Sequence, residues 1–294
     1  MNHLDLIKLS ALMGLTSGRT EITVGLIDGP VATDHPELTV ESIREIHGGL
    51  SGRCAQVNSV ACVHGTFVAG VLCSKRSSAA PAICPNCTLL VRPIYAEEVR
   101  ENGEMPSATP EELAAAVIEC VDAGARVINL SSALLQTSAT GERQLREALD
   151  YAAKRNVIVV AAAGNQGTVG SSAITSHPWV IPVVACDHLG KPLNQSNLGS
   201  SIGRRGLSAP GDKVTSLGTD GKTLTLGGTS VATPFVSGAI ALLWSEFPYA
   251  PAARVKLAIT QGHALKRASI VPPLLDAWAA YQVMTTAALR GSAL

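Results

Sequence analysis

Apolar, β-branched runs that alternate with helix-like segments set the strongest limit on how this chain can fold. Each run is continuous rather than alternating, which is typical of strands buried on both faces of a sheet. Strands separated by helices imply right-handed βαβ crossovers, so we predict an α/β fold with a mostly parallel sheet and helices on both faces. The predicted strands are residues 22–28 (ITVGLID), 88–95 (TLLVRPIY), 125–131 (ARVINLS), 156–165 (NVIVVAAAGN) and 179–186 (WVIPVVAC).

The segments between the strands carry helix signals. Thr109 is placed to cap a helix that has Pro110 in its first turn and two glutamates near its positive end. Aromatic residues make up only 3% of the chain, so the core must consist mainly of Ala, Val, Leu and Ile. We expect one domain over residues 22–294, with residues 1–21 as an N-terminal extension packed on it. The predicted helices are 64–74, 110–123, 141–155, 233–244, 254–260 and 273–288.

Charge and hydropathy argue against two classes of partner. The 23 basic and 23 acidic side chains give zero net charge without a long basic run, so no nucleic-acid interface is expected. No apolar run approaches the length of a membrane span, and no basic amphipathic helix indicates a membrane surface. The N-terminal segment carries Asp5 and Lys8 within its apolar residues and lacks an A-x-A site, so it is not typical of a signal peptide. The predicted location is the cytoplasm.

Three polar residues at junctions of strands and helices indicate nucleophilic catalysis. Asp28 ends the first strand, His64 opens a helix, and Ser230 lies in a small-residue turn before a buried helix. A serine hydroxyl is a poor nucleophile at neutral pH and needs a base to accept its proton. A histidine near its ordinary pKa suits that task, and a carboxylate fixes its tautomer and stabilises the imidazolium.

Asn165 is the candidate for stabilising negative charge on the reacting carbonyl oxygen. It follows a strand and a glycine, and its side-chain amide can donate to an oxyanion together with the backbone N–H of Ser230. The small residues 227–229 leave room for a substrate backbone, and the helix that follows points its positive end at the same place.

Each of these residues also has a non-catalytic interpretation. Asp28 can serve as a turn residue before a proline, and His64 as a helix N-terminal residue bonded to the backbone. Ser230 can merely cap its helix, and Asn165 can hold a left-handed turn between glycines. Among the other histidines, His35 in the segment DHPEL is the main alternative to His64, because it lies near Asp28 in the sequence.

At these segments the chain resembles the subtilase family of serine proteases. HGT, AAAGN and GTSVATP are similar to the family's histidine, oxyanion and serine motifs, and Asp, His and Ser occur in the order found in subtilisin. VINLSS resembles the substrate-binding strand, and LSAPG resembles the loop before the serine. The similarity runs over residues 22–243. It implies a subtilisin-like doubly wound α/β fold, endopeptidase activity through an acyl-enzyme, and substrate binding by Ser131, Ser132, Ala133 and Gly164.

The sequence departs from the family pattern beside the aspartate. The family has Ser or Thr after that residue, whereas Gly29 and Pro30 follow Asp28 here. With LLVRPIY and the cysteine-bearing loops, this resembles the subgroup that processes precursor peptides in cyanobactin-type natural-product pathways. Ser132, Ala133 and Leu134 also stand where the family has glycines, so we expect a different wall of the specificity pocket.

Seven cysteines leave several interpretations open. Cys73, Cys120 and Cys186 lie in apolar patterns and are expected to be buried small hydrophobic residues. The four loop cysteines can form disulfides, remain thiols, or bind zinc, for which one pair has C-x-x-C spacing. No concentrated Asp/Asn loop indicates calcium, and we expect no required metal or cofactor. The loop cysteines are Cys54, Cys62, Cys84 and Cys87.

The sequence therefore predicts a serine endopeptidase that cleaves a peptide, and most specifically a ribosomally made precursor peptide. Two alternatives from other classes are a catalytically silent module that binds peptides in the same groove, and a zinc-dependent regulatory protein built around the loop cysteines. Labelling of Ser230 by a fluorophosphonate distinguishes the first alternative from the protease, and metal analysis distinguishes the second.

Overall fold

A parallel sheet forms the centre of the protein. The computed structural model describes residues 2–46, 48–97, 108–131, 139–261 and 269–291. Seven parallel strands lie in the order β2-β3-β1-β4-β5-β6-β7, and β8 and β9 form a separate antiparallel hairpin. The strands are β1 (Thr23–Asp28), β2 (Ile43–Glu45), β3 (Thr88–Pro93), β4 (Val127–Leu130), β5 (Ile158–Ala162), β6 (Ile181–Cys186), β7 (Leu207–Pro210), β8 (Val214–Leu217) and β9 (Thr223–Leu226).

Helices cover both faces of this sheet, as predicted for the α/β class. On one face α3, α8, α9, α10 and the N-terminal helices share a large apolar cluster, and α4 and α5 cover the other face. The helices are α1 (His3–Leu6), α2 (Leu9–Leu15), α3 (Val60–Cys73), α4 (Pro110–Asp122), α5 (Ala139–Lys154), α6 (Ala173–Ser176), α7 (Ser200–Arg205), α8 (Thr229–Glu246), α9 (Ala252–Gln261) and α10 (Ala277–Gly291). Within the described ranges, no helix has the length and apolarity to cross a membrane.

The two helices that carry candidate site residues, α3 and α8, begin earlier than predicted. Ser59 caps α3 by accepting a hydrogen bond from the backbone N–H of Cys62, so His64 lies in the second turn rather than at the start. α8 begins at Thr229 instead of residue 233, so the small residues that precede the apolar run form its first turn. Ser230 therefore lies in the first turn of a buried helix.

The segment LSAPG is a strand rather than a loop. Residues Leu207–Pro210 form β7, the edge of the sheet beyond β6. Its outer side is covered by the segment before α10, since Ser208 N–H donates to the carbonyl of Pro273 and Leu275 N–H donates to that of Ser208. A four-residue segment that ends in Pro and is followed by Gly does not stand out as a strand in the sequence, so this segment was predicted as a loop.

Candidate active site

The predicted site residues come together at one edge of the sheet. Parallel strands end at the same edge, and there Asp28 is the last residue of β1, Ser131 follows β4 and Asn165 follows β5. The helices α3 and α8 bring His64 and Ser230 to this edge from the same face of the sheet. Residues far apart in the sequence therefore form one cluster.

Asp28, His64 and Ser230 form a continuous chain of hydrogen bonds. His64 Nδ1 donates to Asp28 Oδ1 at 2.7 Å, and Ser230 Oγ donates to His64 Nε2 at 2.9 Å. Asp28 is fully buried and His64 is 8% exposed. In this tautomer the proton on Nδ1 faces the carboxylate, so Nε2 is free to accept the serine proton. The arrangement has the geometry of a nucleophile, a general base and a group that orients the base.

Burial and the carboxylate act in opposite directions on His64. Burial lowers the pKa of His64, whereas the charge of Asp28 and its hydrogen bond raise it, and the net pKa lies above the ordinary value for histidine. The imidazolium that forms when His64 accepts a proton is therefore stabilised at this position.

Gly29 gives Asp28 an unusual environment. The N–H of Gly29 donates to Asp28 Oδ1 at 2.6 Å, while Oδ2 is buried and has no hydrogen-bond partner in the described part of the chain. A Cβ at position 29 would overlap the carbonyl oxygen of Ala61, and one at Gly65 would overlap the carbonyls of Gly29 and Pro30. The backbones of β1 and α3 therefore approach too closely for the Ser or Thr that the family pattern has at position 29.

Thr229 orients the side chain of Asn165. Both the backbone N–H and the hydroxyl of Thr229 donate to Asn165 Oδ1, at 2.9 and 3.1 Å. With its oxygen occupied, the carboxamide has its Nδ2 group left as the donor for an oxyanion at Ser230. Gly164 has a φ of 104° and accompanies this turn, its N–H bonded to the Thr229 hydroxyl at 3.2 Å. From the sequence, Thr229 was expected only to leave room for the substrate backbone. Its hydrogen bonds to Asn165 could not be predicted, because the sequence does not show which residue lies next to this hydroxyl.

A buried polar network below Ser230 was not predicted. Asn129 is fully buried on β4 and donates to Ser131 Oγ at 2.7 Å, while Ser237 Oγ of α8 donates to Asn129 Oδ1 at 2.8 Å. Ser131 Oγ in turn donates to the backbone carbonyl of Ser230 at 3.4 Å. This network links the sheet to the helix that carries Ser230. In the sequence, the polar Asn129 inside an apolar strand was the one feature that could have indicated this network.

The predicted substrate-binding residues Ser132 and Ala133 lie outside the described residues.

The four loop cysteines do not form one cluster. Cys54 and Cys62 are joined by a disulfide, whereas Cys84 and Cys87 are buried thiols, and Cys84 lies beside both Cys73 and Cys87. The hydrogen bond with Cys73, together with burial, raises the pKa of Cys84, and the hydrogen bond with Cys84, together with burial, raises the pKa of Cys87. The described residues therefore do not bring the four cysteines together as one zinc site, and of the open interpretations Cys54 and Cys62 take the disulfide while Cys84 and Cys87 remain thiols.

His35 is held by its own loop. Its Nδ1 accepts the backbone N–H of Glu37 at 3.1 Å, and it is not part of the hydrogen-bonded chain at Asp28. Burial lowers the pKa of His35, which favours its neutral form. His64 is thus the histidine that contacts both Asp28 and Ser230.

Comparisons with known proteins agree with this geometry. Residues 19–270 match the Subtilase family. Subtilisin DY of Bacillus licheniformis is 30% identical over 258 residues, covering 86% of this chain and 87% of that protein. Among solved structures, a mutant of the protease domain of PatA has a TM-score of 0.81 at 30% identity, covering 92% of this chain and 97% of that one. The prenylagaramide maturation protease PagA has a TM-score of 0.80 at 28% identity, covering 95% and 98%. The chain therefore belongs to the subtilase family and is a subtilisin-like serine endopeptidase.

Proposed function

We propose that the protein cleaves a ribosomally made precursor peptide, with Ser230 as nucleophile, His64 as general base, Asp28 as the group that orients His64, and Asn165 as an oxyanion donor. The observation that carries this proposal is the chain of two hydrogen bonds, 2.9 and 2.7 Å long, from Ser230 through His64 to the buried Asp28. A merely structural serine or histidine has no need of such a chain.

The geometry supports acyl transfer in two steps. Ser230 Oγ attacks the scissile carbonyl carbon while its proton moves to His64 Nε2, and Asp28 stabilises the imidazolium. The backbone N–H of Ser230 and the Nδ2 group of Asn165 donate to the oxyanion, and the N-terminal end of α8 adds its positive field. His64 then protonates the leaving amine, and water hydrolyses the acyl-enzyme by the reverse sequence of proton transfers.

A peptide substrate fits the edge where these residues lie. We propose that an extended chain adds to the sheet beside Ser131, which follows β4, and beside Gly164, which follows β5. The residues Ser132 and Ala133, which complete the predicted binding segment, lie outside the described ranges. The similarity to PagA, described as a maturation protease, and to the PatA protease domain supports a precursor peptide as substrate rather than general protein degradation.

We place the reaction in the cytoplasm, where a ribosomally made precursor is synthesised. That compartment keeps most thiols reduced, which fits the five buried free cysteines. The disulfide between Cys54 and Cys62 is the exception among the seven cysteines. Cell fractionation that finds the protein only outside the cytoplasm would remove this part of the proposal.

Two measurements on one pair of variants test the assignment. The wild-type protein should react with a fluorophosphonate and cleave members of a peptide library, as read by mass spectrometry, whereas Ser230→Ala should do neither. Ser200→Ala is the matched control, because Ser200 is an exposed serine in the first turn of another helix, α7, and should leave both readouts unchanged. Cleavage that survives in Ser230→Ala contradicts the proposal. Peptide binding without labelling or turnover in the wild type supports the silent binding module instead.

A further inference from the structure

Asn197 is tied closely to the loop that carries Asn165, although it lies outside the catalytic cluster. It belongs to the segment between β6 and α7, and its backbone N–H donates to the carbonyl of Gly164 at 2.9 Å. Neighbouring backbone bonds join the two segments further, with Gly167 N–H donating to Gln195 and Leu198 N–H donating to Thr168. The two loops thus run side by side.

The side chain of Asn197 uses all of its hydrogen-bonding capacity on this one loop. Its Oδ1 accepts the backbone N–H groups of Gln166 at 3.0 Å and Thr168 at 3.1 Å. Its Nδ2 donates to the carbonyl of Ala163 at 3.2 Å and to Gln166 Oε1 at 2.7 Å. A primary amide offers two donor and two acceptor positions, so the carboxamide is fully satisfied. These four bonds bracket Asn165 on both sides.

The backbone around Asn165 needs such support. Gly164 and Gly167 have φ values of 104° and 63°, and glycine lowers the cost of these conformations without fixing them. A Cβ at position 164 would overlap Nδ2 of Asn197, so the glycine also makes room for this contact. Thr229 holds the side-chain oxygen of Asn165, while Asn197 holds the backbone on either side of it.

We propose that Asn197 is a positioning residue for the oxyanion donor: it holds the loop 163–168 so that Asn165 Nδ2 meets the oxyanion. The inference rests on the proposed function, because it acts through Asn165. A displacement of about 1 Å in a catalytic group can cost on the order of 100-fold in rate. If Asn197 has this role, its substitution should slow the chemical step and should hardly change the affinity for the substrate in the ground state.

The test compares Asn197→Ala in two backgrounds. In the otherwise wild-type protein this substitution should lower kcat by about 10- to 100-fold and leave KM nearly unchanged. It should also lower, by a similar factor, the affinity for a peptide aldehyde, because the aldehyde binds as a tetrahedral adduct that needs the oxyanion donor. Binding of the cleaved product peptide should stay the same. In the Asn165→Ala background the same change should cost less than about twofold, because the group that Asn197 positions is already gone.

Two further variants separate positioning from folding. Asn197→Asp keeps the acceptor for the N–H groups of Gln166 and Thr168 but turns a carboxylate oxygen toward the carbonyl of Ala163, so it should lower kcat at least as much, with KM again nearly unchanged. This variant carries the test if the alanine variant does not fold. Asn194→Ala removes an exposed asparagine of the same segment and should leave kcat unchanged.

The outcomes are distinct. Equal losses of kcat from Asn197→Ala in both backgrounds, or a wild-type kcat in Asn197→Ala, would overturn the positioning role while leaving the proposed function intact. An absence of turnover in the wild-type protein would instead remove the proposed function, and this inference with it.

Discussion

At the scale of single residues, Gly29 shows how a backbone contact can change a catalytic carboxylate. Because α3 lies against β1, position 29 has no room for a side chain, and no hydroxyl can donate to Asp28 from there. Both Gly29 N–H and His64 Nδ1 donate to the same oxygen of Asp28, at 2.6 and 2.7 Å. His64 therefore shares its acceptor oxygen with the backbone of Gly29, and its pairing with Asp28 raises the pKa of His64.

This pairing predicts a pH dependence. Since the pKa of His64 is raised and the base must be neutral to act, kcat/KM should rise with pH to a half-maximum above ~6.5, the ordinary value for histidine. Asp28→Asn removes the charge that raises the pKa of His64, so the half-maximum should move to lower pH while the plateau falls by about 10⁴-fold. pH–rate profiles of both proteins check this, with circular dichroism as the control for folding. If the acid side of the pH–rate profile has the same half-maximum in Asp28→Asn as in the wild type, Asp28 does not raise the pKa of His64.

The contact at Gly29 predicts a loss of stability that a second glycine does not show. Gly29→Ala should lower the free energy of unfolding by about 1–3 kcal/mol or more, because its Cβ would overlap the carbonyl of Ala61. Gly14→Ala is the control, since an added Cβ in α2 meets no atom within 4 Å and should stabilise the helix by about 0.5–1 kcal/mol. Urea titrations measure both. Equal effects at the two positions would contradict the close approach of β1 and α3.

At the scale of elements, the sequence predicted the strands that form continuous apolar runs and the helix that has clear capping residues. The strands β1, β3, β4, β5 and β6 and the helix α4 lie where predicted, the last with its Thr109 capping box. The start of α3 was missed although Ser59 is a local cap for Cys62, because the cysteine-bearing segment was interpreted as a loop. The start of α8 was missed because its N-cap, Gly228, makes no side-chain capping bond that the sequence could indicate. β8 and β9 were missed because a short hairpin of Thr-rich strands has little apolar signal. Hydrogen-bond partners across the site, such as those of Asn129, depend on the fold and leave no trace in spacing.

The disulfide joins the element that carries His64 to the loop before it. Cys62 lies in α3 two residues before His64, and Cys54 lies in a loop whose next N–H groups are bound by Glu97. Reduction should lower the free energy of unfolding by about 2–3 kcal/mol, the chain-entropy value for a loop this short.

Thermal unfolding with and without dithiothreitol measures this effect. A protein with Cys54→Ala and Cys62→Ala is the control and should not respond to the reductant, because the remaining cysteines are already thiols. A response of the control as large as that of the wild type would assign the effect to another cysteine.

At the scale of the whole molecule, the N-terminal segment is part of the main core. Ile7, Leu9 and Leu12 are fully buried in the apolar cluster that also contains α8, and Ala277 N–H donates to the carbonyl of Ile7. Lys8 and Asp276 add an ion pair at 2.5 Å. We therefore propose that the segment 1–21, predicted as an extension packed on the domain, contributes to its folding stability.

A pair of leucines in α2 tests this proposal. Leu12→Ala should lower the free energy of unfolding by about 2–5 kcal/mol, because it leaves a cavity in the core. Leu15→Ala, in the same helix but with its side chain 48% exposed, should change it by less than about 0.5 kcal/mol. Chemical denaturation of both variants provides the measurement. Similar values for the two would mean that the N-terminal helices do not pack on the core in solution.

The distance along the chain between His64 and Ser230, 166 residues, has a consequence for the ribosome that makes this protein. Translation at about 5–20 residues per second separates the appearance of the two residues by on the order of ten to thirty seconds. Throughout that interval the nascent chain holds the carboxylate and the base, and after residue 165 also the proposed oxyanion donor, yet it has no serine with which to attack a peptide. An incomplete chain released before residue 230 therefore lacks the proposed nucleophile, and the order of the elements delays proteolysis until all nine described strands have been synthesised.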